Sequence, residues 1–171
     1  QQTISAQVPG MLPIEQSYIE NILRLNKGKL VSVHATFENN REWNAKIFNS
    51  ANFDVLNLLF AYDSAENPKQ IILNTAKDIA KWILDESGNK IPHTVKWLNY
   101  LQILKREREL NVDERNQLLD IIEDSNTDMI SIVAANLLLD NQLAAERHFN
   151  KLDNNSQEVF KSFPIYRFWE T

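Results

Sequence analysis

The apolar positions of this chain change period several times, and each change marks an expected element. From Ile14, the residues Tyr18, Ile22 and Leu25 recur at helical spacing with Ile19 and Leu23 beside them, which predicts an amphipathic helix. Pro13 suits the first helical position, where its missing N–H has no intrahelical bond to lose. Gly28 ends the pattern, as glycine commonly does by entering the left-handed region. The period then falls to two. Val31, Val33, Ala35 and Phe37 share one face of a strand, and Ser32, His34 and Thr36 take the other. Asn39-Asn40 predicts a turn, since asparagine tolerates positive φ, and Trp43, Ala45 and Ile47 alternate again. The expected unit is a short helix followed by a β-hairpin. A hairpin is marginal in water by itself, so its apolar face needs a cover.

Past Phe48 the signals turn helical. Val55, Leu56, Leu58, Leu59 and Phe60 form a short apolar run that fits a buried helix or a strand, of which helix is the preferred reading. Beyond Asn67-Pro68, Ile72, Ala76, Ile79 and Ile83 make one stripe with Trp82 close to it, ending near Gly88. Pro92 starts the next helix, with Trp97, Leu98, Leu101 and Leu104 inward. Asn111 is placed to cap a helix whose first turn carries Asp113 and Glu114, acids that suit the positive end of the helix dipole. That helix carries Leu118, Leu119, Ile121 and Ile122. Asn126 or Thr127 is expected to cap one carrying Ile130, Val133, Ala134, Leu137 and Leu138. After a break at Asp140-Asn141, Leu143, Ala144, His148, Phe149 and Leu152 continue, and Ser156 caps a last short helix that Pro164 ends.

The expected fold is therefore mainly α: an N-terminal helix plus β-hairpin, then an α-helical bundle or solenoid of helix hairpins. The organisation reads as a flexible arm over 1–12, the helix and hairpin over 13–48, a junction over 49–63 and a helical, repeat-like domain over 64–171. The stretch AANLLLDNQLAAERHFNKL followed by FPIY is similar to a tetratricopeptide unit, with small residues where helices meet, then a Phe and a Pro. No 34-residue period lays over the earlier helices.

Composition narrows the function classes. The 171 residues carry a net charge of −5, which gives no overall attraction for nucleic acid or an anionic membrane. No apolar run approaches the roughly 18–20 residues that span a bilayer, and no basic segment precedes an apolar core at the start, so neither an anchor nor a secretion signal is expected. The absence of cysteine removes disulfides, thiolate metal sites and cysteine nucleophiles, which suits the cytosol. With three glycines, a phosphate-cradling loop is hard to build, and no GxSxG, GxxxxGK[ST] or GxGxxG is present. His34, His93 and His148 lie far apart and outside any metal-ligand spacing. No enzyme, cofactor or metal is expected. The run Lys105-Arg106-Glu107-Arg108-Glu109 reads as an exposed helix end. The chain end FPIYRFW concentrates aromatic mass. It is either a segment docked onto the last helices or an anchor for a protein partner through Tyr166, Arg167, Phe168 and Trp169, residue types that dominate interface hot spots.

One stretch carries a family resemblance. VPGMLP, SYIENILRLNKGKL and TFENNREWNAKIF, between Val8 and Phe48, closely resemble the front half of the GerQ spore coat proteins of Bacillus-type bacteria. After Phe48 the resemblance stops. It implies a non-catalytic coat component that takes part in germination, with coat proteins and a cortex-lytic hydrolase as partners. It also implies cross-linking by a transglutaminase through lysines near the N-terminus. Here no lysine precedes Lys27, and glutamines such as Gln1, Gln2 and Gln7 could serve only as acyl donors. The alternative is a helical-repeat module for binding a protein, regulatory or part of a bacterial defence system, to which residues 8–48 are fused. A continuous apolar core across 45–65 would favour one evolved protein, and a disordered joint would favour a fusion.

Overall fold

The computed structural model describes residues 3–4, 14–15 and 41–170. Thr3–Ile4 (β1) and Ile14–Glu15 (β2) pair antiparallel, with Thr3 opposite Glu15 and Ile4 opposite Ile14. Among the described residues from Arg41 onward there is no strand. The helices are α1 (Arg41–Ser64), α2 (Gln70–Glu86), α3 (His93–Glu107), α4 (Val112–Glu123), α5 (Met129–Leu138), α6 (Gln142–Phe149) and α7 (Asn154–Lys161). Short 3₁₀ turns lie at Gly88–Lys90 and Pro164–Phe168. The chain divides into two compact units, one up to Pro92 and one from His93.

This overturns the expected β-hairpin. Its second strand, Trp43 to Ile47, is the opening of the 24-residue helix α1, and its first strand lies outside the described residues. The expected helix beginning at Ile14 is likewise not found at its start, because Ile14 and Glu15 are extended and paired with the segment read as an arm. The reason for the helix is a longer pattern that wins over a short one. Trp43, Ala45 and Ile47 alternate at only three positions. Phe48, Ala51, Val55, Leu58 and Leu59 hold the 3.6-residue period, and all five are buried. No glycine or proline interrupts the sequence between Arg41 and Asn67, so the helix propagates to Ser64, shortly before Asn67-Pro68.

In the first unit α1 packs along α2. The α2 stripe of Ile72, Leu73, Ala76, Ile79, Ala80 and Ile83 is buried as the spacing predicts. Phe48, wholly inaccessible to solvent, sits with its ring centroid 4.6 Å from that of Trp82. The buried residues described in this helix begin at Phe48, where the resemblance read from the sequence ends, and run on through Ala51, Val55, Leu58 and Leu59. Gly88, just past α2, has φ of +53°, a conformation that costs glycine least.

The second unit is a helical bundle, and that part of the expected fold is met. Connections of three to five residues join α3 to α7, short enough to keep sequential helices adjacent. Its hub is α5, which touches α3, α4, α6 and the Pro164–Phe168 turn. Seven of the ten α5 residues are buried: Ser131, Val133, Ala134, Ala135, Asn136, Leu137 and Leu138. Alanines at 134 and 135 let neighbouring helices approach, and Leu137 and Leu138 fill the space between them.

The caps explain where these helices begin. Asn111 forms a complete capping box with Glu114: its side chain accepts from the Glu114 N–H at 2.8 Å, and the Glu114 carboxylate accepts from the Asn111 N–H at 2.9 Å. For α5 the cap is Asp128, accepting from the Ser131 N–H, rather than Asn126 or Thr127; Thr127 instead donates to the Ile121 carbonyl at 2.6 Å. For α7 it is Asp153, accepting from the N–H of Ser156, the residue expected to cap. Between α5 and α6, Asp140 takes the left-handed conformation, φ 61°. Its N–H bonds the Leu137 carbonyl at 3.1 Å and the Asn141 N–H bonds the Asn136 carbonyl at 2.9 Å, the two bonds of a Schellman stop.

Candidate interaction site at the C-terminal segment

The aromatic chain end is built onto the second unit by three sets of contacts. Phe163 is extended and Pro164 opens the 3₁₀ turn, which swings Tyr166, Phe168 and Trp169 back toward the bundle. The rings then interlock. Trp169 lies 5.0 Å from Phe149 and 5.7 Å from Tyr166, with which it stacks, and Tyr166 meets Phe160 edge-on at 6.1 Å. Phe160, itself inaccessible to solvent, also meets Phe149 at 6.0 Å and Phe163 at 6.2 Å. Such offset and edge-to-face pairs suit the ring quadrupoles.

Gln142, at the start of α6, clamps the backbone of the segment from both sides of its amide. Its Nε2 donates to the Phe168 carbonyl at 3.0 Å, and its Oε1 accepts from the Glu170 N–H at 3.2 Å. From α3, Arg106 donates through Nη2 to the Pro164 carbonyl at 3.2 Å and through Nη1 to the Gln102 carbonyl at 2.8 Å.

Around the Phe168 ring stand three cations: Lys105 at 5.9 Å, Arg106 at 5.2 Å and Arg167 at 5.5 Å. A negative ring face attracts each of them, and Lys105 is further held by Asp140 at 3.0 Å. The residues singled out at the chain end are thus together. Tyr166, Phe168 and Trp169 are half-buried against the core and Arg167 is exposed. Docking on the last helices is therefore part of what these residues do.

No local pattern marks the residues that hold them. Lys105 and Arg106, read as part of an exposed helix end, are half-buried and reach other elements, whereas Glu107, Arg108 and Glu109 do face solvent. Arg108 forms a bidentate pair with Glu114 at 2.7 and 2.8 Å. That pairing holds the Glu114 carboxyl below its ordinary range, helped by the Asn111 N–H and opposed by burial.

The histidines do not converge. His34 lies outside the described residues, His93 starts α3 and meets Trp97 edge-on at 6.3 Å, and His148 lies in the last turn of α6. The Nδ1 of His148 is buried with no hydrogen-bond partner. Burial, and then the charges of Lys151 and Arg147, push its pKa down. Near it, Leu143, Glu146, Arg147 and Asn150 line a shallow, open depression. Among the described residues no three His, Cys, Asp or Glu side chains gather as a metal site would require, and no helix is long and apolar enough to cross a membrane.

Comparison with known proteins places one stretch of the chain in a class. Residues 14–52 match the family model described as spore coat protein (Spore_GerQ). Within that class, the chain is 68% identical over 41 residues to the spore coat protein GerQ of Bacillus subtilis (strain 168). The aligned stretch is 24% of this chain and 23% of that relative, so the chain spans about a quarter of the relative it matches. No solved structure matches the chain.

Proposed function

We propose that this protein is a non-catalytic structural and interaction component of the spore coat. The observation that carries the reading is the 68% identity over 41 residues to a spore coat protein. A second observation supports it. The end of the matched stretch, residues 41–52, forms the first half of α1, and Phe48 and Ala51 within it are core residues. The described end of the stretch is therefore built into a folded unit, as expected if both parts act together. The helical units supply surfaces, not a reaction centre: the charged groups of the C-terminal site are engaged in holding aromatic rings and backbone carbonyls. In this reading the chain resides in the coat and takes part in germination by holding coat proteins or a cortex-lytic hydrolase.

The test is localisation in sporulating cells. A fluorescent fusion of the full chain is expected to form a ring around the developing spore and to be recovered in the coat extract together with bound coat proteins. A variant with residues 14–40 in shuffled order is expected to lose the ring. A full-length fusion that stays diffuse in the mother cell would sink the reading.

A further inference from the structure

We infer that the outer face of α4 is a docking surface for a cationic amphipathic helix of a protein partner. This rests on the reading of the chain as an interaction protein and names the chemistry of one partner.

The first observation is what α4 leaves uncovered. Only Leu118 and Ile121 of its twelve residues are buried. Val112, Asn116, Leu119 and Glu123, spaced i, i+4, i+7 and i+11, form one exposed spine. On that spine Val112 is 72% and Leu119 43% exposed. Seven residues of helix set them about 10 Å apart, the separation of successive anchors on an amphipathic helix laid into a groove.

The second observation is charge. Residues 107–128 hold eight acidic and two basic side chains, a net of −6, whereas the whole chain carries −5. The remaining residues therefore sum to +1, and essentially all the net charge of the molecule sits on α4 and its flanks. Asp113, Asp120 and Glu123 are exposed beside or on the apolar spine, and Arg115 is the only base within the helix. A solvated helix face ordinarily mixes signs. Here Arg115 flanks one edge of the spine, but acids line the other and outnumber it, and this net negative surround of apolar side chains favours a partner of opposite charge over nucleic acid or an anionic membrane.

The third observation is rigidity. The start of α4 is fixed by the Asn111–Glu114 capping box and the bidentate Arg108–Glu114 pair, and its end by the Thr127 hydroxyl on the Ile121 carbonyl. A face held at both ends loses little freedom when a partner docks.

The test uses the full chain and a labelled synthetic peptide of leucine and lysine, about 18 residues or five helical turns long, with its leucines on one face. Fluorescence anisotropy in about 0.1 M salt reads affinity, where screening still permits surface attraction. The triple variant Asp113→Lys, Asp120→Lys, Glu123→Lys avoids the cap bonds, and circular dichroism verifies its fold. It is expected to weaken binding about tenfold or more, and Leu119→Ser to weaken it about threefold or more. The same peptide with glutamate for lysine is expected not to bind, and one with shuffled leucine and lysine order to bind about tenfold more weakly. Unchanged affinity in the triple variant, or equal binding of the shuffled peptide, overturns the inference. So does sedimentation showing that the chain dimerises and that Leu119→Ser dissolves the dimer, because the occupant is then a second copy. If peptide binding follows α4 while the fluorescent fusion fails to reach the coat, the coat reading falls and the docking face stands. The reverse result removes the docking face alone.

Discussion

Helices α4 and α5 follow one another in the chain, and both carry clustered apolar residues: Leu118-Leu119 with Ile121-Ile122 in one, Val133 to Ala135 with Leu137-Leu138 in the other. In α5 seven of ten residues are buried and even its polar members, Ser131 and Asn136, lie inside. They stay there because each is satisfied locally: Ser131 bonds the Asp128 carboxylate at 2.7 Å, and Asn136 donates to the Ile132 carbonyl at 2.9 Å. In α4 the same number of leucines and isoleucines leaves Leu119 at the surface. What separates the two helices is the residue type between the apolar positions. Alanines in α5 admit neighbours on every side, while Arg115, Asp120 and Glu123 in α4 keep one side in water. A hydrophobic run therefore reports how much apolar surface a helix owns, and the intervening residues report how many neighbours it has.

Truncation tests this contrast most directly. Leu137→Ala in α5 is expected to cost about 2–5 kcal/mol, since it opens a cavity at a site with no solvent exposure. Urea unfolding followed by far-ultraviolet circular dichroism reads the loss as a lower midpoint. Phe160→Ala, which removes the ring under Tyr166 and Phe149, belongs in the same range, about 3–5 kcal/mol. A midpoint unmoved by either substitution would mean that α5 and the aromatic chain end are not packed as described. One step smaller, Asn111→Ala is expected to cost about 1 kcal/mol by breaking the capping box of α4. Leu119→Ala is expected to change stability by less than about 0.5 kcal/mol. A loss as large as that of Leu137 would show that the face of α4 is covered in the free protein.

Acid sharpens the comparison at α6, which α5 touches. His148 has a folded pKa below its ordinary value of 6.5, so the unfolded chain takes up a proton more readily than the folded one. Its neutral form is compatible with burial above that ordinary value, and stability is lost as pH falls below it toward the lowered folded pKa. The full chain is expected to unfold at lower urea as pH drops from 7 toward 5, and His148→Gln is expected to flatten that slope. An identical slope in the variant would assign the acid sensitivity elsewhere, to groups such as Glu114, whose lowered pKa places its loss at more acidic values.

Much of the helical part was legible because it depends on neighbours in sequence. The Ile72, Ala76, Ile79, Ile83 stripe and the Asn111 cap follow from helical geometry within one or two turns, and both are found. The caps at Asp128 and Asp153 were misplaced by a few residues. Several cap-competent side chains stand together there, and only backbone conformation decides which oxygen meets a free N–H. The hairpin failed for a related reason: three alternating residues compete poorly with a helical period that runs on for two dozen. At the C-terminal site the aromatic residues were visible, but Arg106 and Gln142 were not. They lie 58 and 26 residues from the carbonyls they hold, a distance at which pattern carries no information.

The unbroken path of α1 constrains how the spore-coat-like stretch and the rest of the chain can be joined. The seam between the spore-coat-like stretch and the rest falls inside a helix, next to a ring seated on Trp82. Along a helix each residue advances the phase by about 100°. Inserting or deleting a single residue between Phe48 and Val55 would turn Phe48 by that angle away from its seat while leaving every side chain chemically unchanged. A splice at this point has to be right in number, not only in kind. Recombinants made there should sort into folded and unfolded classes with the periodicity of a screw thread.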